Sequence, residues 1–482
     1  MKALTRNQIE TTPEFPLRIL QFGGGNFLRA FTGWMVEVLN EETSFGGNIA
    51  VVKPTKQGSY SKLKRQDGLY HVLLWGIKDG GEFTEIKRIH CIREIVNPYT
   101  AWDTYLKLAE IESIRFVVSN TTEAGIRFDP NAENSGKVPS GFPAKLTLWL
   151  YHRYRFFKGD KSAGCYILPC ELIEDNGTQL YSCILKHAKN WGFEDGFTDW
   201  LKTSNYFCNT LVDRIVSGFP HKIAYEFYNQ TGFCDELLVA GEYYHSWVIE
   251  GPEMLRDELP VENTPMNVQF VEDLEPYREM KVRILNASHS IMVPIGCLMG
   301  LNFVHECMEE KLLTQFLRRM ITEEICPTLE LPSKDVMAFA EATLSRFQNP
   351  RLNHRLMSIA LNSMTKFNTR VIPVFLAYYH NFGKLPVCIV LALAAQICFY
   401  RHAEDKGIPD SPETIAFIRS IWNAYDQTEK GAGKVVSGIL SGPNLWAAEL
   451  VRVPGLHQAL GSFVFRIASE GIIPVLRSTE AG

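Results

Sequence analysis

The chain has no Cys-x-x-Cys pair, and its eleven cysteines are scattered and odd in number, Cys165 and Cys170 being the nearest two. Disulfide frameworks and thioredoxin-type motifs need paired spacing, so reduced thiols in a cytoplasmic setting are expected. An apolar opening segment is missing too: Met1 to Glu10 is polar, and no secretory signal is expected. The longest apolar run, Pro386 to Tyr400, is too short to span a bilayer and holds Gln396. It reads as a buried helix, with no membrane partner. There is no basic excess. A formal net charge of -5 speaks against nucleic acid, which needs a basic surface to displace counterions from phosphates. An anionic substrate must then be held by local cations. Metal spacing is lacking as well. His289 and His305 are too far apart for an i,i+4 pair, His305-Glu306 has no second histidine, and no Cys/His cluster has zinc spacing, so no metal is expected. Small molecules remain as partners, with monomer or homo-oligomer left open.

What is present is ordinary globular material, 46% hydrophobic and 21% charged, in 482 residues. That length holds two substantial domains. The first half alternates short β-rich runs (Leu17 to Phe22, Ile49 to Val52, Arg115 to Ser119, Cys165 to Cys170) with helical stretches such as Phe27 to Leu39 and Ala144 to Phe157. Tyr70 to Ile77 and Phe83 to Ile89 flank Asp79-Gly80-Gly81, a hairpin signature. Strands alternating with helices predict a mostly parallel sheet covered on both faces. Beyond Pro276 helical patterns dominate: Pro276 to Leu298, Lys311 to Ile325, Lys334 to Phe347, Leu352 to Met364 and Pro386 to Tyr400. The expected organisation is an α/β domain over residues 1–230 and a mostly α-helical one over residues 231–482.

The first strand runs into Phe22-Gly23-Gly24-Gly25-Asn26-Phe27, which opens the first helix. Backbone without Cβ atoms can approach a pyrophosphate closely, and a helix start offers free N–H groups. This is the Rossmann-like dinucleotide turn. Leu28 stands where the third glycine of G-x-G-x-x-G belongs, so a merely tight strand-to-helix turn is the competing reading. The second strand carries no terminal Asp or Glu for an adenosine ribose. Lys53, Lys56, Lys62, Lys64 and Arg65 follow instead, either a solvated loop or a site for a 2′-phosphate.

Lys281-Val282-Arg283-Ile284-Leu285-Asn286-Ala287-Ser288-His289 holds the sharpest chemical signal. Moving hydride to or from a carbinol carbon needs a base for the hydroxyl proton and donors aimed at the oxygen. Lysine can be the base, with asparagine and histidine as donors. On an α-helix Asn286 and His289 lie one turn apart, whereas Lys281 sits roughly 80° from His289 and about 12 Å along the axis. The long lysine stem must lean to reach them. A solvated lysine beside a capped core histidine is the alternative.

Together these segments resemble the mannitol dehydrogenase family of long-chain polyol dehydrogenases, over nearly the whole chain. The resemblance rests on Gln21-Phe22-Gly23-Gly24-Gly25-Asn26-Phe27-Leu28-Arg29, Ser119-Asn120-Thr121-Thr122-Glu123-Ala124-Gly125, Pro169-Cys170-Glu171 and Val212-Asp213-Arg214-Ile215. It continues through the lysine helix to Arg346-Phe347-x-Asn349-Pro350, His354 and Ile359 to Lys366. What it implies is a Rossmann-like N-terminal domain, a helical C-terminal domain, and a metal-independent NAD-linked dehydrogenase acting on an open-chain sugar acid. Lys281 maps onto the family's general acid/base, and Asn286 and His289 onto its asparagine and histidine. Gly23, Gly24, Gly25, Asn26, Phe27, Arg29, Asn120, Thr121 and Glu123 are the expected cofactor residues. Leu172 replaces the asparagine that follows the acid in family polyol dehydrogenases, leaving Asn176 as a candidate substitute in substrate binding. Lys366 and Arg370, one turn apart on a predicted helix, can face a substrate carboxylate, with Arg346 another candidate. A fructuronate reductase or neutral-polyol dehydrogenase of the same family and a silent nucleotide-binding relative are the competing functions.

Overall fold

A computed structural model describes residues 2–480 except Thr11, Thr12, Asp79, Gly80, Glu123, Asn353, 404–406, Pro443, Asn444 and Ala448. The hairpin turn at Asp79-Gly80 and the cofactor candidate Glu123 therefore lie outside the described residues. The chain forms two compact units, Met1–Leu274 and Glu275–Gly482.

Unit 1 is built on six parallel strands: β1 Leu17–Phe22, β2 Asn48–Val52, β3 Ile92–Val96, β4 Phe116–Ser119, β5 Tyr166–Pro169 and β6 Tyr206–Phe207. They lie in the order β3-β2-β1-β4-β5-β6, all in parallel register. This is the doubly wound dinucleotide-binding order, whose direction reverses between β1 and β4. The apolar runs of β2, β4 and β5 are buried throughout, as strands covered on both faces must be. Alternation sorts them: Ile19, Ile49, Val51 and Val118 join one core cluster, while Leu20, Ala50, Val52 and Val117 join the other.

The boundary falls well after residue 230. Val239–Glu242 pairs in parallel with Tyr70–Lys78, and Ser246–Glu250 pairs with Asn209–Asp213, so residues 231–274 are hydrogen-bonded into unit 1. The two arms of the expected hairpin, Tyr70–Lys78 and Gly81–Ile89, do pair antiparallel.

Unit 2 is a helical bundle around Val387–Phe399, of which every residue from Cys388 onward is buried. Helices that are apolar all round belong inside. Its N-terminus is capped by the buried Glu324, whose carboxylate accepts the N–H groups of Cys388 and Ile389 at 2.8 and 2.9 Å. One helix expected over Leu352–Met364 breaks up: among its described residues a 3-10 turn ends at Leu352 and a short α turn spans Leu356–Ile359. Asn362 then takes a left-handed φ of 53°, and a new helix runs over Ser363–Arg370. Phe303 bridges Arg355 and Leu356 N–H bonds the Asn302 carbonyl at 2.9 Å, which holds this segment extended where composition alone favours helix. No helix among the described residues is long and apolar enough to cross a membrane. None of the eleven cysteines is in a disulfide.

Candidate active site

In unit 1, β1 delivers Gly23 at φ +120°, a conformation that L side chains rarely adopt. A Cβ there would stand 3.0 Å from Leu28 Cδ1 and 3.2 Å from the Asn120 carbonyl oxygen. The turn is tied on both sides: Gly23 N–H donates to the Val52 carbonyl at 3.0 Å, and the buried Gln21 amide donates to the Gly23 carbonyl at 2.8 Å. The helix then starts at Asn26 and continues through a π turn, Arg29–Gly33, into Trp34–Glu42. The buried Arg29 guanidinium donates to the Gly24 carbonyl at 3.1 Å and to Asn26 Oδ1 at 2.9 Å, which puts a positive charge beneath the turn. In front of Gly25 there is open space, with nothing within 4 Å of a Cβ built on it. A cavity of about 630 Å³ opens here, lined by Gly24, Gly25, Asn26, Arg29, Tyr60 and His221 among others. Phe27 stacks on Phe31 at 4.9 Å, at the start of the same helix. A helix start with open space before it and a cation below fits a dinucleotide pyrophosphate.

The other side of the switch point is the end of β4. Asn120 lies against Gly23 and donates its amide to the Cys170 carbonyl at 2.8 Å. Thr121 is held through both N–H and hydroxyl by Glu171 Oε1 at 2.9 Å, while Ser119 bonds Oε2 at the same distance. Glu171 is therefore the clasp of this loop. Burial pushes its carboxyl above the usual range, and the donors from Thr121 and Ser119 oppose that. Asn176 is a clasp too. Its amide nitrogen bonds the carbonyls of Pro169, Glu171 and Thr210, and its oxygen takes the N–H groups of Gly177 and Thr210. Buried and fully engaged, it has no capacity left for a substrate, so the structure gives it a different job from the expected one. Arg214 likewise braces the fold, bonding the Tyr243 carbonyl at 3.0 Å and lying over the Trp34 ring.

In unit 2 the lysine helix is not uniform. Glu275–Met280 is α-helical, Lys281–Asn286 is a π turn, and Ala287–Leu298 is α-helical again. π geometry closes its hydrogen bonds five residues on, so Lys281 and Asn286 stand one above the other on one face. Asn286 and His289 are then i,i+3 neighbours on the following α turn. The π turn thus removes the angular mismatch that a plain α-helix would impose on Lys281. All three side chains are half-buried, while Ile284, Leu285, Ala287 and Ser288 face the core. Arg283 anchors the turn, donating to the Thr328 carbonyl at 2.7 Å and pairing with Glu279.

The ring of His289 packs on Phe347 at 4.3 Å and lies edge-on to His354 at 5.2 Å. Arg346, beside Phe347, is buried. The helix Ser363–Arg370 packs against the lysine helix and brings Lys366 close to His354. Lys366 Nζ donates to the Ile359 carbonyl at 2.9 Å. Burial first and the charge of Arg370 second hold this ammonium below its ordinary value, and burial lowers Arg370 as well. Two separately expected groups, the Lys281 triad and the Lys366–Arg370 pair, thus share one neighbourhood of unit 2, linked by His354. Among the described residues no three His, Cys, Asp or Glu side chains gather as metal ligands. Sequence reasoning missed Tyr60, packed over Gly24, and the clasp role of Glu171. No local pattern announces either one.

Residues 17–263 match the mannitol dehydrogenase Rossmann domain, and residues 273–466 the mannitol dehydrogenase C-terminal domain. The chain belongs to the mannitol dehydrogenase family. It is 39% identical to the altronate oxidoreductase of Bacillus subtilis (strain 168), over 98% of this chain and 97% of that one. It is 40% identical to the altronate oxidoreductase of Yersinia pestis, over 95% of each. In fold it is similar to Pseudomonas fluorescens mannitol 2-dehydrogenase, solved as a ternary complex with NAD and D-mannitol, with TM-score 0.65, 20% identity and full coverage of both chains. A substrate-free D-sorbitol dehydrogenase gives TM-score 0.74 at 22% identity, over 95% of this chain and 94% of that one. These two mannitol dehydrogenase domains make the protein an oxidoreductase acting on CH–OH groups.

Proposed function

We propose that this protein is an NAD-dependent altronate oxidoreductase, reducing D-tagaturonate reversibly to D-altronate in hexuronate catabolism. The observation that carries the reading is the near-40% identity with altronate oxidoreductases along almost the entire chain. The glycine turn from Gly23 to Phe27, with Arg29 beneath it, holds the pyrophosphate of NAD, and the loop Asn120–Thr121 forms the facing wall. Bound NADH supplies the hydride in reduction, and NAD accepts it in oxidation. Lys281 gives the proton to the carbonyl oxygen as reduction proceeds and takes it back in the reverse direction. Asn286 and His289 aim donors at the same oxygen, where negative charge develops. The π turn, which stacks Lys281 on Asn286, supports this division of roles.

An acid substrate also needs a cation. Lys366 and Arg370 supply two, and their nearness to His354 and hence to His289 supports a carboxylate site reached by the far end of the substrate. Cytoplasmic residence agrees with eleven cysteines held as thiols outside any disulfide.

The test is oxidation of NADH against tagaturonate, fructuronate and fructose, with NAD reduction by altronate and mannitol as the reverse arm. Tagaturonate and altronate should be the preferred pair. In Lys366→Met or Arg370→Met, efficiency toward the acid should fall roughly 10- to 150-fold, the worth of one charge-assisted hydrogen bond, with fructose little affected. Preference of the unmodified protein for fructose or mannitol would overturn the reading.

A further inference from the structure

Between the two ends of this site stands His354. On one side its ring meets His289 edge-on, centroids 5.2 Å apart and planes at 81°. On the other side lies Lys366, near enough that its charge, after burial, helps push His354 below the ordinary imidazole value. Lys366 in turn feels Arg370. The side chains thus follow one another as His289, His354, Lys366 and Arg370, from the proposed carbonyl end to the proposed carboxylate end.

The ring is aimed by a pinned main chain. Val304 N–H donates to the His354 carbonyl at 3.0 Å, Leu356 N–H donates to the Asn302 carbonyl at 2.9 Å, and Phe303 bridges Arg355 between them. The ring nitrogens have no hydrogen-bond partner among the described residues. A neutral imidazole offers one N–H donor and one nitrogen acceptor, the complement of a carbinol hydroxyl. An open-chain sugar acid carries such hydroxyls on the carbons between its carbonyl and its carboxylate.

We infer that His354 is a specificity-determining residue that hydrogen-bonds the hydroxylated mid-section of the sugar acid. This rests on the altronate oxidoreductase reading. It follows that His354 helps to separate tagaturonate from fructuronate, which differ in the configuration of one such hydroxyl.

Three proteins test it: the unmodified chain, His354→Phe, which keeps a ring against His289 but removes both nitrogens, and His354→Gln, which keeps a donor and an acceptor. Efficiency toward each acid is measured, with the dissociation constants of D-altronate and NADH and the melting temperature. In His354→Phe, efficiency toward tagaturonate should fall about 5- to 150-fold, chiefly through KM, and its advantage over fructuronate should shrink. Altronate binding should weaken in parallel, NADH binding and melting should hold, and His354→Gln should recover part of the loss. If the unmodified protein prefers tagaturonate and His354→Phe keeps both the efficiency and the epimer ratio, the inference fails while the reading stands. If His354→Phe fails to fold, His354→Leu, which likewise removes both nitrogens, takes its place, and an unchanged efficiency and epimer ratio there equally overturn the inference. If the unmodified protein does not turn over tagaturonate, the reading falls and the inference with it.

Discussion

A lysine moves a proton only if its nitrogen reaches the reacting oxygen, and the π turn Lys281–Asn286 puts Lys281 on the face of Asn286, as its proposed role requires. Lys281→Ala should lower turnover by roughly two to four orders of magnitude, the usual worth of positioned acid–base catalysis, with NADH affinity little changed. Steady-state kinetics with a fluorescence titration of NADH checks both halves, and near-full turnover would return Lys281 to the helix surface. A second residue acts on stability. His187 is buried between Phe128 and Trp191, and neither ring nitrogen finds a partner among the described residues. Burial pushes it down from 6.5 to about 4, while Asp129 pulls weakly the other way. The folded state thus binds fewer protons at this site than the unfolded state, and stability rises with pH where they differ. The contribution is complete above pH 6.5 and is lost as pH falls toward 4. His187→Phe should therefore flatten the melting temperature between pH 7 and 5 relative to the unmodified protein, whereas equal slopes would show that His187 is not the titrating group. Lys281, Asn286 and His289 can be singled out in the sequence because hydride transfer demands a base and donors, and the structure sets them on successive turns of one helix. Asn176 was misjudged because an amide buried among five backbone partners looks, in sequence, like any other asparagine.

Elements were read well where burial leaves a compositional trace. The runs Ile49 to Val52 and Leu17 to Phe22 are apolar because both faces of a parallel sheet are covered, and both appear as strands. Leu352 to Met364 was misread because the force that breaks it is the remote bridge of Phe303 with Arg355, which no local window contains. The π turn at Lys281–Asn286 leaves no trace either, since one extra residue in a helix changes neither composition nor approximate periodicity. Its consequence is testable. A π turn is an α-helix carrying an inserted residue, commonly kept where function requires it. Deleting Val282, which is only half-buried, should convert the turn to α-helix and move Lys281 off the face of Asn286 and His289. Melting temperature should hold or rise while turnover falls on the order of a hundredfold or more, as for loss of the base itself. A deletion variant that melts as well as the parent and still turns over would show that the register of Lys281 does not matter.

At the scale of the molecule, alternation of strands with helices followed by helices alone foretold the two architectures, and separated motifs in a shared order foretold the family. The boundary came out later than expected because Val239–Glu242 and Ser246–Glu250 pair with strands lying earlier in the chain, a long-range fact. Net charge bears on the cofactor. A protein of formal charge -5 offers no general attraction to the extra phosphate of NADPH, so only a local cation can reward it. The basic stretch after β2 is the place to look. Lys53 is buried and its ammonium donates to the Lys56 carbonyl at 2.9 Å, and Arg65 pairs with Glu236 at 2.7 Å. Of that stretch, Lys62 lines the cavity before the glycine turn, exposed to water. One solvated lysine is a weak reward for a doubly charged group, since exposed pairs contribute about 0–1 kcal/mol. NADH should therefore bind at least as tightly as NADPH, and Lys62→Ala should weaken NADPH while leaving NADH nearly unchanged. Parallel titrations of the two nucleotides check this. NADPH binding tenfold tighter, a difference of about 1.4 kcal/mol, would mean that the Lys53 ammonium leaves the Lys56 carbonyl, or that the Lys56 side chain turns in, to meet the phosphate, and the basic stretch would become the cofactor selector.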